Sequence, residues 1–295
     1  MADSFFSRVE NPNTVITPID TAIRFPEILE VLLAKYREDI DLFAAMVAKS
    51  SSSAELLDQI RQKSVSSAVR MSLLKIFRRA VAPVLDTETT KKLNIPTLTL
   101  VETYGTTFKP IEVLKEQFAR MDSETKGALA ALIGEYDTRG QLGYILTDTF
   151  FTWFEQTFEG VMSIRGPRGA GRDIELNTIF PDFEGQYPCD FVITADDDGR
   201  VLAVGFARYD STRGGAQSDD RTGGNAYKVA KAKEYCEKTG KALRLVFISD
   251  GPGLGHKDTW REACNLDGDW NGNVRVATMK LAESRITPDW LLQTE

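Results

Sequence analysis

The segment YPCDFVITADDDGRVLAVGFARYDS (Tyr187–Ser211) gives the clearest indication of the fold class. Two runs of apolar and β-favouring residues flank the tetrapeptide DDDG (Asp196–Gly199), which predicts a β-hairpin. A helical pattern follows at Asn225–Thr239, with Gly240 placed to end the helix. The apolar run ALRLVFISDG (242–251) then predicts a strand in the interior of the same sheet.

The remaining C-terminal segments continue the alternation of helix and strand. A helix is predicted around Asp258–Cys264, a last strand at Val274–Met279, and a short terminal helix capped by Thr287 with Pro288 in its first turn. This order of elements predicts an α/β (α+β) fold, in which flanking helices cover a mixed β-sheet.

The chain up to about residue 160 is predicted to be mainly helical, because apolar residues recur at three- and four-residue spacing. A serine N-cap is expected in KSSSSAELL (49–57). The Thr-rich segment Asn94–Thr106 is expected to be a short strand or a loop, and the aromatic segment Gln141–Phe158 to lie in the core. The predicted helices are Phe25–Ala48, Ser67–Val84, Pro110–Met121 and Ser123–Tyr136. The sequence thus predicts two regions, a mainly helical one at 1–160 and one with the sheet at 161–295.

Composition excludes several classes of protein. The chain has 295 residues, 42% of them hydrophobic, and 36 Lys and Arg against 43 Asp and Glu, a formal net charge of −7. No apolar run approaches the roughly 18 residues of a membrane span, and the N-terminus has no signal-peptide pattern, so we expect no membrane partner. Three widely spaced cysteines suit a reducing cytoplasm.

The single histidine, His256, restricts the chemistry. Phosphodiesterases with paired catalytic histidines and metal-dependent HUH nicking sites each need two histidines. His256 and the three cysteines do not make a standard four-ligand zinc site. Hydrolysis by this chain would therefore rest on carboxylates that hold a divalent metal. The acidic net charge does not exclude nucleic acid, because binding needs only one basic face.

Arginines and glycines lead into the C-terminal region at IRGPRGAGRDIELNTIF (Ile164–Phe180). Arg165, Arg168 and Arg172 offer forked donors to phosphate oxygens, and the glycines allow a ligand to approach the backbone closely. The segment favours a phosphate clamp, followed by a helix that carries Glu175. A solvated linker between two domains is the alternative.

Asp190 begins the first strand of the hairpin. A carboxylate at this point projects from the end of the sheet, where metal ligands are often placed. An ordinary turn aspartate is the alternative interpretation.

The segment between Arg208 and Asn225 is too long and too charged for a simple turn. We expect a mobile loop whose polar groups contact DNA phosphates and base edges, and whose acids bind metal or pair with the arginines. A surface loop without a function is the alternative. The residues concerned are Arg208, Arg213, Gln217 and Arg221 for DNA, and Asp210, Asp219 and Asp220 as the acids.

In order and spacing, Glu175 in RGAGRDIEL, Asp190 in PCDFVI and the strand VLAVGFARYDS resemble the PD-(D/E)XK nuclease core of type II restriction endonucleases. The resemblance covers about residues 161–250, including the segment GG…NAYK that ends at Lys228. It implies Mg²⁺-dependent, sequence-specific cleavage of double-stranded DNA by a homodimer, with a nuclease domain at 161–295 and a DNA-recognition or dimerisation region at 1–160. It further implies metal ligands at Asp190, Glu175 and Asp210, and catalytic roles for Glu175, Asp190, Arg208 and Lys228.

The sequence departs from that family at the (D/E)-X-K position, where it has Gly205-Phe206-Ala207 followed by Arg208. The carboxylate is expected to have moved, either to Asp210 or to Glu234, and Arg208 or Lys228 to replace the lysine. Otherwise the chain binds DNA without cutting it.

Three functions thus follow from the sequence. The first is a type II restriction endonuclease, and the second is a non-catalytic DNA-binding protein with a degenerate nuclease fold. The third is a nucleotide- or phosphate-binding α/β enzyme that would use GPGLG (Gly251–Gly255), which matches neither common phosphate-loop pattern.

Overall fold

The computed structural model describes residues 4–21, 23–135, 137, 141–212 and 217–293, with the backbone alone described at 217–223. The chain divides into two compact units, residues 22–138 (the helical unit) and residues 1–21 with 139–295 (the sheet unit). The division lies at residues 138–139, whereas the sequence predicted a boundary at residue 160. The aromatic segment 141–158 therefore belongs to the sheet unit.

The helical unit packs amphipathic helices around one core, to which Ile40, Phe43, Leu73 and Phe77 contribute fully buried or nearly fully buried side chains. The predicted serine cap is confirmed, because the Ser52 hydroxyl accepts a hydrogen bond from the Glu55 backbone at 3.1 Å. The helices are α1 (Glu27–Lys49), α2 (Ser53–Ile60), α3 (Ser67–Ala80), α4 (Thr87–Thr90), α5 (Thr97–Tyr104), α6 (Ile111–Ala119) and α7 (Ser123–Gly134).

One prediction in the helical unit is wrong. The segment Asn94–Thr106 forms helix α5 and a 3₁₀ turn, and neither the predicted strand nor a loop is found there. Leu100 is buried in the helical core, with Val101 packed against it. Burial on one face of a helix therefore overrides the strand preference of the threonines.

The sheet unit combines a five-stranded mixed sheet with a separate antiparallel pair of strands. The order in the large sheet is β1-β4-β5-β6-β7, antiparallel from β1 to β5 and parallel from β5 to β7. The strands are β1 (Met162–Arg165), β2 (Ile174–Glu175), β3 (Pro188–Cys189), β4 (Phe191–Ala195), β5 (Val201–Tyr209), β6 (Arg244–Asp250) and β7 (Val274–Ala277). The helices are α8 (Gln141–Thr157), α9 (Gln217–Thr239), α10 (Lys257–Leu266), α11 (Asp269–Gly272), α12 (Ala282–Arg285) and α13 (Pro288–Leu292).

Helices cover both faces of the large sheet. On β5, Val204 and Phe206 belong to the core that includes α9 and α10, whereas Ala207 and Tyr209 pack with the core of α8. The predicted burial of the aromatic segment is confirmed by Phe150, Phe151, Phe154 and Phe158, which are at most 3% exposed. The mixed α/β fold with a mainly helical N-terminal region is confirmed.

Local signals for the hairpin and two helix ends are also confirmed. Gly199 closes the β4–β5 hairpin with φ +69°, and Gly240 follows α9 with φ +70°. The Thr287 hydroxyl accepts a hydrogen bond from the Trp290 backbone and caps α13. None of the helices in the described parts of the chain has the length and apolar character of a membrane span.

Two predictions about the sheet unit need correction. Glu175 lies on strand β2, followed by the 3₁₀ turn Leu176–Thr178, and not on a helix, because Ile174 and Glu175 pair with β3 while Leu176 is buried. The proposed loop from Arg208 to Asn225 is shorter, since β5 continues to Tyr209 and α9 begins at Gln217. The predicted mobility of its centre concerns residues 213–216, which lie outside the described residues.

Candidate active site

Asp190 is fixed where β4 begins beside β5. Its backbone N–H donates to the Gly205 carbonyl at 2.9 Å, and its Oδ2 accepts from the Ala207 N–H at 2.7 Å. Burial raises the pKa of this half-buried carboxyl, and the nearby Asp173 charge raises it further. The bond from Ala207 and the charge of Lys228 lower it in part. The Asp190 carboxylate is therefore held in one position, and a nearby cation would stabilise its negative charge.

Lys228 supplies one cation in this region. It projects from α9, and its Nζ lies 3.7 Å from the centre of the Phe206 ring. Burial lowers the pKa of Lys228, whereas the charges of Asp190 and Asp173 favour its ammonium form. An acid and a base from different elements thus influence each other where both are partly desolvated, and both are among the catalytic candidates from the sequence.

Asp173 is the acid that the sequence argument missed. The β2–β3 pairing ends with Ile174 opposite Cys189, next to Asp173 and Asp190, and the Asp173 charge acts on the Asp190 carboxyl. Glu175 lies one pair further away, opposite Pro188, and its Oε2 accepts from the Tyr187 N–H at 2.9 Å. A strand places alternate residues on one side, so the spacing Asp173–Glu175 could have indicated both acids if a strand had been predicted.

Cys189 lies between these acids but does not offer a reactive thiolate. Its side chain is buried, and its Sγ donates to the Ile174 carbonyl at 3.1 Å. Burial, with the charges of Asp190 and Asp173, raises the pKa of Cys189 to about 12. The thiol therefore stays protonated at neutral pH, and nucleophilic catalysis by this cysteine is disfavoured.

A cavity of about 320 Å³ opens beside Asp190 and Lys228. It lies at the carboxyl ends of the parallel strands β5 and β6, the edge where α/β sheets commonly bind ligands. Part of its lining is apolar, since the rings of Phe206 and Phe247 stack with centres 5.0 Å apart. The lining residues are Asp190, Phe206, Ala207, Arg208, Gly224, Asn225, Lys228, Phe247 and Ser249.

A second polar cluster adjoins the same cavity. Asp210 is 8% exposed, and its Oδ1 accepts from Arg208 Nε at 2.8 Å and Nη2 at 2.6 Å. Asn225 on α9 donates to Glu262 Oε1 on α10 at 2.7 Å. Burial raises the pKa of both Asp210 and Glu262, and the Arg208 charge lowers it. Asp210, predicted to bind metal, is thus paired with Arg208. Glu262 is distant in sequence, and only the fold brings it close to Asp210 and Arg208.

The arginines predicted to clamp a phosphate do not come together as an open binding site. Arg168 pairs with Asp148 at 2.8 Å and Glu155 at 2.5 Å, both on α8. Arg165 and Arg172 are exposed. Arg213, and the side chains of Gln217, Arg221, Asp219 and Asp220, lie outside the described residues.

Two further sequence predictions find no support in the geometry. Glu234, one proposed position of the moved carboxylate, lines a different groove with Tyr227 and Lys238. Six residues after Lys228, it points about 120° away around the helix. The turn at Gly251–Gly255 is filled by the chain itself, because Gly253 N–H bonds the Asp210 carbonyl and a Cβ there would meet the Thr212 carbonyl at 2.4 Å. That turn therefore does not present an open phosphate cradle.

Asp190 and Asp173 are the residues best placed to hold a divalent metal. Among the side chains that the structure describes, no three His, Cys, Asp or Glu groups come together as a metal-binding cluster. Mg²⁺ commonly takes one or two carboxylates and completes its shell with water and phosphate oxygens. Asp190 beside the cavity, with Asp173 near it, matches this mode of Mg²⁺ binding.

No family model, curated protein or solved structure matches the chain. The function is therefore inferred from the geometry of this site.

Proposed function

We propose that the protein is a type II restriction endonuclease that hydrolyses phosphodiester bonds of double-stranded DNA with Mg²⁺. The observation that carries the proposal is that the Asp190 carboxylate and the Lys228 ammonium come from separate elements beside one cavity, with Asp173 near enough for its charge to act on both. The burial of Asp190 and Lys228 is costly for folding, and such arrangements of perturbed acids and bases are concentrated at functional sites.

The two carboxylates have separate tasks in this proposal. Asp190, held by the Ala207 N–H, and Asp173, which directly precedes β2, would bind Mg²⁺. When bound, the metal polarises a phosphoryl oxygen and lowers the pKa of a coordinated water. Because Asp190 is fixed by the backbone of β5, its oxygen directions are set before substrate arrives.

The two cations would bind the phosphate. The Lys228 ammonium, near Asp190, can stabilise negative charge that develops on the reacting phosphate. Arg208, whose guanidinium lines the cavity, offers forked donors to phosphate oxygens but stays charged and does not accept a proton. Lys228 is therefore the functional replacement of the missing motif lysine.

Cleavage of supercoiled plasmid DNA in the presence of Mg²⁺ tests this function. Wild-type protein should produce discrete fragments, and Asp190→Asn should lose this activity because the fixed metal ligand is gone. Asp197→Asn is the matched control, since Asp197 lies in the exposed hairpin turn, where its carboxylate accepts a hydrogen bond from the Asp198 backbone. Equal cleavage by Asp190→Asn and wild type would contradict the proposal.

The absence of an acid at Gly205–Ala207 favours a second candidate, a DNA-binding protein that does not cut. Binding of duplex DNA without cleavage in Mg²⁺ or Mn²⁺ would select it. Under either function we infer a cytoplasmic protein, since all three cysteines are free thiols. We also infer a homodimer, which sedimentation with and without DNA would test against the 32.8 kDa monomer.

A further inference from the structure

The segment RQKSVSSAVRMSLLKIFRRAVAPVL (61–85) has six Lys and Arg residues and no Asp or Glu. The rest of the chain has the opposite balance, since the whole protein carries a net charge of −7. Most of this segment is helix α3 and the turn before it. A basic stripe along one helix is the electrostatic signature of a nucleic-acid contact.

The structure separates the six cations into one buried residue and a surface group. Arg61 is 5% exposed, and its guanidinium donates to the carbonyls of Thr90, Lys92 and Ile95. It therefore holds the fold together. The other five lie nearer the surface, but Arg70 is on the side of α3 that holds Leu73, Leu74 and Phe77 and donates to the Gln62 carbonyl at 3.2 Å. The α3 face, as the name is used below, consists of Lys63, Lys75, Arg78 and Arg79.

Helix α3 has a clear division into an inner and an outer side. Its inner side buries Leu73, Leu74, Ile76 and Phe77 in the helical core. The small residues Ala68 and Ser72 lie between the cations on the outer side, so the helix backbone can come close to a flat or grooved partner.

Nearby carboxylates do not neutralise all of the positive charge of the α3 face. Lys75 pairs with Asp137 at 2.6 Å and Arg79 with Glu135 at 3.0 Å, both residues that follow α7. Asp86, whose pKa is lowered in part by Arg78, is already bonded to the Thr89 N–H as the cap of α4. Lys63 and Arg78 are exposed. Four cations therefore face two paired carboxylates and one capping carboxylate.

We propose that the α3 face binds the phosphate backbone of double-stranded DNA. This inference rests on the proposed function for its choice of polyanion. Lys and Arg are the usual partners of DNA phosphates, and an α-helix fits the major groove, which is about 12 Å wide. The face lies in the helical unit, so it would add affinity that the acidic sheet unit does not supply.

Duplex binding by the full-length protein at several salt concentrations tests the α3 face. The Asp190→Asn background prevents cleavage, and a mixed-sequence fluorescent duplex reports binding by anisotropy. The double variant Lys63→Gln/Arg78→Gln removes two exposed charges from the face. Lys115→Gln/Arg120→Gln, which removes two charges from α6 and its C-terminal end in the same unit, is the matched control.

The α3 variant should bind more weakly, on the order of tenfold per lost contact near 0.1 M salt, with a salt slope lower by about two. The control should match the background protein. Equal affinity and slope for the α3 variant, or no duplex binding by the background protein, would overturn the inference. Reduced binding by the α3 variant while wild-type protein fails to cut any plasmid would leave the α3 face intact and refute the hydrolytic function alone.

Discussion

Under the proposed nuclease function, Gly205 shows why β5 carries no acid at the position that the sequence resemblance implies. A Cβ at Gly205 would lie 1.9 Å from the ring of Phe191. Phe191 is fully buried, and its ring centre lies 5.2 Å from that of Phe150 and 5.9 Å from that of Phe151. A carboxylate side chain has no room there. The second acid of the site must come from another element, and Asp173 on the β2 side meets this need.

Gly205→Ala should therefore destabilise the protein, by about 1–3 kcal/mol, because the added methyl overpacks the core beside Phe191. Urea unfolding followed by circular dichroism measures this change. Gly143→Ala in α8 is the control, since a Cβ there meets nothing within 4 Å. In a helix this control should stabilise by roughly 0.5–1 kcal/mol. A Gly205→Ala protein as stable as wild type would refute the steric explanation.

Asp210 is expected to position Arg208 and not to bind metal. Its buried carboxylate holds Arg208 through two nitrogens at 2.8 and 2.6 Å. Asp210→Asn should lower kcat/KM for DNA cleavage at least about tenfold, since a hydrogen bond between charged groups contributes about 1.5–3 kcal/mol. Its affinity for Mn²⁺, measured calorimetrically without DNA, should stay at the wild-type value. A large loss of Mn²⁺ affinity would show that Asp210 is a metal ligand after all.

The raised pKa of Asp190 sets a pH dependence for metal binding. Because burial raises its folded pKa, the contribution of this group to stability is present at acidic pH and is lost as the pH rises through that pKa. Metal binding needs the ionised form, so Mn²⁺ affinity should rise with pH through a value above the usual Asp pKa of about 3.9. Calorimetric titrations across this range measure the midpoint. A midpoint at or below about 3.9, or an unchanged profile in Asp190→Asn, would contradict this assignment.

At the scale of elements, the β2–β3 pair determines which acid meets Asp190. The β2–β3 pairing ends next to Asp173 and Asp190, and Glu175 is already bonded to the Tyr187 N–H. Asp173→Asn should reduce Mg²⁺-dependent cleavage at least about a hundredfold, an effect typical of losing a group that stabilises the transition state. Glu175→Gln, which keeps an oxygen acceptor for Tyr187, should retain most activity. The reverse order of activities would favour the original assignment of Glu175 from the sequence.

The elements that could be predicted are those whose own residues determine them. The periodicity of α1, the Asp196–Gly199 turn and the Thr287 cap all depend on local sequence, and each is confirmed. Short elements such as β2 and α5 depend on what they pack against, so their threonines and acids gave misleading signals. At the site, the sequence indicated Asp190 and Lys228. Asp173, Asn225 and Glu262 require strand register and helix packing, which a single sequence does not reveal.

At the scale of the whole molecule, charge is distributed unevenly between the two units. Residues 22–138 contain equal numbers of acidic and basic residues, so the sheet unit carries the entire net charge of −7. An acidic unit repels DNA except where its own cations, Lys228 and Arg208, meet the phosphate. Under the proposed function, the helical unit with the α3 face would supply the general affinity for DNA. Cleavage and duplex affinity should respond to different substitutions.

The position of a bound metal is the sharpest test of the proposal that Asp190 and Asp173 hold Mg²⁺. Crystals of the protein soaked in Mn²⁺ can be measured at a wavelength where manganese gives an anomalous signal. We predict a peak between the Asp190 and Asp173 carboxylates, with distances from the metal to their oxygens close to the roughly 2.1 Å of Mg²⁺–oxygen bonds. A peak that lies only at Asp210 and Glu262, or no peak beside Asp190 at saturating Mn²⁺, would contradict it.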